Sequence, residues 1–289
     1  ILNIQNRLLL MAVESDIQGG PFSASKMIQS SGNAGDGGIR KYFDMTVSDF
    51  NFSYPLGVAG KFTPVNLSGV NLTQDCYITV FPVDTYHPTI VTGDPNRVLQ
   101  YYWTIESNIG EFDGQIVFSY DQSDVMGNES AYYKALLKPF DDTWAKLSTG
   151  VDHAVNTIGY NYTGSNAVNV DNFNGYYTAG EDDAIPDDIA VFTAIQNGDW
   201  DDDNNWDQPT SPPNGIIVDV PSGFAIDIIT DRKRLYKTMI GGELDISDGT
   251  TFHNLGIVSG TGRLILNNDF LPPGDYEDFV ACSGGTLEY

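Results

Sequence analysis

Phe52-Ser53-Tyr54-Pro55-Leu56-Gly57 is followed by Phe62-Thr63-Pro64-Val65-Asn66-Leu67, then by Tyr102-Trp103-Thr104-Ile105 and Ile116-Val117-Phe118-Ser119-Tyr120. In each piece apolar and polar residues alternate, and each piece ends on Gly, Pro, Asn or Asp. A period of two with such stops predicts short strands buried on one side. Working outward, Phe50–Tyr54, Tyr77–Phe81, Val98–Glu106, Gly114–Tyr120, Ala131–Lys138, Trp144–Leu147, Thr157–Tyr162 and Tyr176–Thr178 read the same way. Ala131–Lys138 is ambiguous between helix and strand; its Tyr pair and the Pro139 that follows favour strand. Asp141-Asp142-Thr143-Trp144 then reads as a hairpin turn.

The fold class expected is all-β: an antiparallel β-sandwich flanked by β-solenoid-like segments, or by a second sandwich. Residues 1–40 read as solenoid-like rungs that end a preceding unit, on the apolar runs 2–6 and 7–11. Residues 41–191 read as the sandwich, and 192–212 as an acidic Asp/Asn/Trp linker. Residues 213–289 carry short apolar runs at 216–220, 225–228, 243–246, 255–258 and 263–266. Such runs, joined by polar turns, stack as rungs of a parallel solenoid. Their spacing is irregular, so a second sandwich stays open for 213–289.

Composition narrows the function. There are 39 acidic residues against 14 basic ones, a net charge of −25. That charge repels nucleic acid and anionic membrane surfaces, so neither is an expected partner. No apolar run reaches the ~18 residues a membrane helix needs, so membrane insertion is not expected. The two cysteines, Cys76 and Cys282, form no C-x-x-C pair and read as small buried hydrophobes. The chain starts at Ile1 and stops at Tyr289 in mid-pattern, which reads as an internal piece of a longer protein.

In their order, the opening pieces resemble a module of very large secreted surface proteins of Bacteroidetes, marked by an F-P-x-G…Y-x-P-V…R-Y-W-T-I…F-x-Y string. Here the string stands as Tyr54–Gly57, Phe62–Val65, Tyr101–Ile105 and Phe118–Tyr120, with Tyr54 in place of Phe and Tyr101 in place of Arg. The likeness continues through Asp121–Asp124, Trp144–Leu147 and Asn174–Gly180. It runs on through Gly198-Asp199-Trp200…Trp206, Val218–Val220 and Pro273-Gly274-Asp275-Tyr276…Gly284-Gly285-Thr286-Leu287-Glu288-Tyr289. The resemblance implies an extracellular, cell-surface stalk or adhesin repeat without chemistry of its own. It also implies export by the type IX secretion machinery through a region outside this chain, and roles in attachment or gliding motility. Surface polysaccharide or other surface proteins would be its partners.

The sharpest local signal is Asn197-Gly198-Asp199-Trp200-Asp201-Asp202-Asp203-Asn204-Asn205-Trp206-Asp207. Crowded carboxylates repel, and a hard divalent cation relieves that repulsion. Asp199, Asp201, Asp203, Asn205 and Asp207 are therefore the candidate Ca²⁺ ligands. An EF-hand is rejected, because Asn204 and Thr210 stand where its Gly and Glu belong. The alternative is a hydrated acidic linker. Trp200 and Trp206 are the candidate sugar-stacking residues, with Tyr86, Tyr160, Tyr162, Tyr176 and Tyr177 behind them; core packing is the competing reading. His87, His153 and His253 share no metal-binding spacing, and no nucleophile signature occurs. The Arg232-Lys233-Arg234 cluster with Lys237 reads as a solubilising turn.

The leading expectation is a non-enzymatic structural or adhesive segment. A carbohydrate-binding module of a secreted polysaccharide-degrading protein is the first rival. A β-solenoid polysaccharide lyase or hydrolase is the second.

Overall fold

The computed structural model describes residues 1–46, 49–138, 141, 143–229, 235–247, 254–267 and 271–289. Pro139, Asp142, the 232–234 basic cluster and His253 lie outside the described residues. The chain is all-β; the α-helix among the described residues is the single turn Val170–Phe173. It divides into two compact units. The first holds Ile1–His87 and Gly93–Asp187, the second Pro88–Thr92 and Asp188–Tyr289.

In the first unit, Asp49–Tyr54 shows how the sequence makes a sheet. Phe50, Phe52 and Tyr54 are buried while Asp49, Asn51 and Ser53 are exposed. This strand sits at the edge of a sheet ordered Val151–Asp152, Thr157–Asn161, Glu111–Ser119, Val65–Val70, Asp49–Tyr54, every neighbour antiparallel. A second sheet runs Ala145–Leu147, Tyr132–Leu137, Gly175–Glu181, Tyr102–Ser107, Cys76–Val83, Gly38–Phe43, Leu8–Met11. Its pairs are antiparallel except the last, which is parallel. Tyr132–Leu137 is thus a strand, hydrogen-bonded to Ala145–Leu147.

One apolar cluster joins the inner faces of both sheets. Phe52, Leu67, Ile116 and Phe118 come from the first; Ile39, Ile78, Trp103 and Tyr177 come from the second. The Trp103 ring lies 5.1 Å from Phe118, and Phe118 stacks on Tyr177 at 4.8 Å. Two of the buried rings have their polar tips satisfied, whereas the Tyr160 hydroxyl has no partner. Trp103 Nε1 donates to the Thr63 carbonyl oxygen at 3.3 Å, and the Tyr54 hydroxyl donates to the Ile78 carbonyl at 3.0 Å. Leaving such groups unpaired would cost about 1–3 kcal/mol each.

Of the strands begun within the first forty residues, two join the second sheet, and Leu2–Gln5 and Ile28–Ser30 form a separate four-stranded sheet with Leu56–Val58 and Lys61–Phe62. Gly38–Phe43 pairs with Cys76–Val83, and Leu8–Met11 pairs with Gly38–Phe43. Leu2–Gln5 and Ile28–Ser30 pair in parallel, and Ile28–Ser30 pairs in parallel with Leu56–Val58.

The second unit pairs differently. Val191–Thr193, Ile217–Val220, Lys237–Ile240 and Ile257–Ser259 form one all-parallel ladder. Gly198–Asp199, Ala225–Ile228, Glu243–Ile246, Arg263–Leu266 and Thr286–Glu288 form another. Along the chain, successive strands alternate between the two as far as Arg263–Leu266, and Thr286–Glu288 then joins the same ladder as that strand. Ile217 faces Lys237, which faces Ile257, in steps of twenty residues. Val218, Val220, Ile226, Ile228, Leu244, Ile246 and Leu264 turn into one shared core. The tight corners between ladders use glycine. A Cβ on Gly242 would stand 2.2 Å from the Phe224 carbonyl oxygen, and one on Gly262 would stand 2.1 Å from that of Gly242. Those carbonyls are occupied: Phe224 accepts from Glu243 N and Gly242 accepts from Arg263 N, at 2.9 and 2.8 Å.

Residues 192–212 lie in this unit, at the start of its two ladders. Val191–Thr193 and Gly198–Asp199 begin the two ladders, and Ala194 bridges Trp206.

Candidate functional site

The acidic segment spends its side chains on its own turns. Asp199 Oδ1 accepts from Asp201 N at 2.9 Å, and Asp202 Oδ1 from Asn204 N at 3.0 Å. Asp203 Oδ1 accepts from Ser211 N at 2.6 Å, and Asp207 Oδ1 from Thr193 N at 2.9 Å. Asn205 is buried, its amide donating to the Asp199 carbonyl oxygen at 2.8 Å. Asp and Asn favour such positions because a short side chain can stand in for a backbone acceptor. Among the described residues, no three His, Cys, Asp or Glu side chains gather as metal ligands. Asp199, Asp201, Asp203 and Asp207 therefore do not converge on one point.

Trp200 and Trp206 are 0% and 2% exposed. Their rings meet edge to face at 5.0 Å. Trp206 Nε1 donates to the Trp200 carbonyl at 2.9 Å, and Trp200 Nε1 to that of Pro212 at 3.4 Å. Both belong to the second unit's core. Rings buried in the core with their N–H groups engaged present no open face to solvent. Tyr160 and Tyr177 are likewise buried, and Tyr86, Tyr162 and Tyr176 are half-buried.

The remaining reactive side chains are enclosed or spread apart. His87 is buried between Tyr102, Trp144 and Tyr176, at ring distances of 4.8, 5.2 and 4.6 Å. Burial pushes its pKa down to about 3, so the ring stays neutral. His153 is exposed. Both cysteines are free. Cys76 is buried, and burial pushes its thiol up to about 11. Cys282 is exposed, contrary to its reading as a small core residue, because it sits in the turns ahead of Thr286–Glu288.

The outward face of the Asp49–Tyr54, Val65–Val70, Glu111–Ser119 sheet carries amides and hydroxyls. Asn51, Ser53, Asn66 and Gln115 are exposed there, and Ser53 Oγ donates to Asn66 Oδ1 at 2.8 Å. A shallow hollow of ≈ 490 Å³ is lined by Asp49, Asn51, Ser68, Asp113, Gln115 and Thr163. A second, of ≈ 330 Å³, shares Gln115 and includes Lys134, Tyr160 and Asn161. Lys134 is buried; its Nζ donates to the Gly159 carbonyl at 2.8 Å and lies 4.4 Å from the Tyr160 ring centre. Burial pushes its pKa down. Amides and hydroxyls beside the carboxylates of Asp49 and Asp113 suit a hydroxyl-rich ligand or another protein's backbone. The signal for this face was the polar half of each alternating strand.

Two charge clusters hold connections in place. Arg97 grips Asp183 with two hydrogen bonds, at 2.8 and 3.0 Å, and reaches Asp94 and Glu181. Lys61 meets both Asp84 and Asp124. Burial works to lower the Lys61 pKa, but the hydrogen bonds to Asp124 and Asp84 outweigh it and hold the ammonium up.

A comparison of the chain with protein-family models, curated proteins and solved structures finds no match. Among the described residues no helix is long and apolar enough to cross a membrane.

Proposed function

We propose that this chain is a non-enzymatic, extracellular structural and adhesive segment of a large surface protein. Its first unit is read as an antiparallel β-sandwich and its second as a β-solenoid. The observation that carries this reading is the second unit's pair of parallel ladders, with strands recurring in steps near twenty residues. Repeating rungs of this kind extend a chain in one direction at little cost in new design. The sealed His87 and the turn-capping Asp side chains agree with a scaffold role. A large negative charge suits a hydrated surface. In this reading the partners are surface polysaccharide or neighbouring surface proteins, and secretion uses sequence outside this chain.

Labelling of intact producing cells with antibodies to this chain tests the proposal. A surface signal removed by added protease is expected. A signal that emerges only after lysis contradicts it.

The amide and hydroxyl face favours a second reading, a carbohydrate-binding module. A glycan array probed with the wild-type chain and with Asn51→Ala plus Gln115→Ala separates the two. Binding that is lost in the double variant supports the module, and a blank array leaves the structural reading.

A further inference from the structure

Lys61, in the short strand Lys61–Phe62, lies against two carboxylates from different connections. Asp84 follows the Cys76–Val83 strand, and Asp124 ends the 3-10 turn Gln122–Asp124. The Asp124 side chain is 2% exposed, and its Oδ2 has no hydrogen-bond partner. Lys138 and Lys146, by contrast, pair with Asp141, Asp182 and Asp187, whose side chains are 39, 56 and 86% exposed. Beside Lys61, the Tyr101 ring centre lies 6.0 Å from Nζ, and the Tyr101 and Thr63 hydroxyls meet at 2.5 Å.

A buried carboxylate with one bare oxygen is a costly arrangement. The hydrogen bonds to Asp124 and Asp84 favour the Lys61 ammonium, so the neutral pair is the minor form; passing a proton from Nζ to the Asp124 carboxylate reaches it and removes both charges. It leaves a neutral amine against a neutral acid, and the acid side chain is itself enclosed. Burial pushes the Asp124 carboxyl up, toward this acid form. The amine and the acid are held in contact, so the entropic barrier of bringing them together is already met.

We propose that Lys61 and Asp124 condense without a cofactor into an intramolecular isopeptide bond, with Asp84 relaying the proton. The Nζ lone pair attacks Asp124 Cγ and forms the N–C bond. Asp84 carboxylate takes the proton released from Nζ. It returns that proton to the departing hydroxyl of Asp124, the C–O bond breaks, and one water leaves. No electron donor or acceptor is needed. The link joins positions 63 apart in sequence. The loop it closes contains the strands Val65–Val70, Cys76–Val83, Tyr102–Ser107 and Glu111–Ser119, which belong to both sheets. A covalent tie there would restrict unfolding of the first unit.

Intact-mass measurement of the purified chain, with mapping of its proteolytic peptides, tests the proposal. The expected mass is below that of the sequence by one water, with a branched peptide joining Lys61 to Asp124. Lys61→Arg keeps the cation but cannot form the amide, and it should show the full sequence mass. Asp84→Asn should stay at full mass or lose water many-fold more slowly. A wild-type chain at full mass after prolonged incubation overturns the proposal. So does a water loss mapped to any other site, such as a succinimide at Asp113-Gly114. An Asp84→Asn chain that links as fast as wild type overturns the relay.

Discussion

Trp103 and Asp227 mark the two extremes of what one side chain does here. Trp103 is fully buried, touching Tyr101 at 5.0 Å and Phe118 at 5.1 Å. Trp103→Ala should cost the first unit about 3–5 kcal/mol, read from urea denaturation. Asp227 stands in register between Asp199 and Asp245 on parallel strands. Burial first, then the charges of Asp245, Glu243 and Asp199, push its carboxyl up. A raised folded-state value means the ionised form is disfavoured on folding. The contribution to stability is then greatest below the unfolded pKa and falls as pH rises through the folded one. Asp227→Asn should therefore raise the second unit's melting temperature at neutral pH, by the equivalent of ~0.2–1 kcal/mol, with no gain at acid pH. Burial of Trp103 was legible because the Tyr102–Ser107 strand announces itself by its aromatic and β-branched residues. For Trp200 and Trp206 the sequence left core packing and sugar stacking both open. They lie in a turn-rich segment without a period, and their Asp neighbours suggested solvent when those carboxylates cap turns instead.

At the scale of elements, the two units were legible to different degrees. In the first, alternation fixes which residues face inward, and antiparallel neighbours close in sequence follow from it. In the second, Ile217–Val220, Ala225–Ile228 and Glu243–Ile246 stand out as apolar runs, but Lys237–Ile240 does not. Its sequence Lys-Thr-Met-Ile mixes charge and hydroxyl, and its place comes from register with Ile217–Val220. Gly241-Gly242 before Glu243–Ile246 and Gly260-Thr261-Gly262 before Arg263–Leu266 repeat with the rung, and so does Gly284-Gly285 before Thr286–Glu288. Those glycines carry the period that apolar runs obscured. Gly242, Gly260 and Gly262 stand where the backbone of one strand-turn repeat approaches the one before. Gly262→Ala drives a Cβ toward the Gly242 carbonyl oxygen, which already accepts from Arg263 N. We expect a loss of about 1–3 kcal/mol in the second unit. Calorimetry should show its transition lowered while that of the first unit is unchanged.

For the whole molecule, function was less legible than fold. Scaffold residues follow from periodicity, whereas a binding face of Asn, Ser and Gln looks in sequence like any solvated half of a strand. The calcium and sugar-stacking residues were sought where charge and rings are densest in sequence. The structure uses those residues for turns and core. What remains is a pair of units with enclosed aromatics, mainly antiparallel sheets in one and two parallel ladders in the other. If the proposed structural and adhesive role is right, this segment carries tension between a cell and what it holds. Pulling single molecules by their two ends in an optical trap tests it most directly. The account predicts two separate unfolding events, one per unit, with the first unit resisting high force. Extension at low force without discrete events would contradict it.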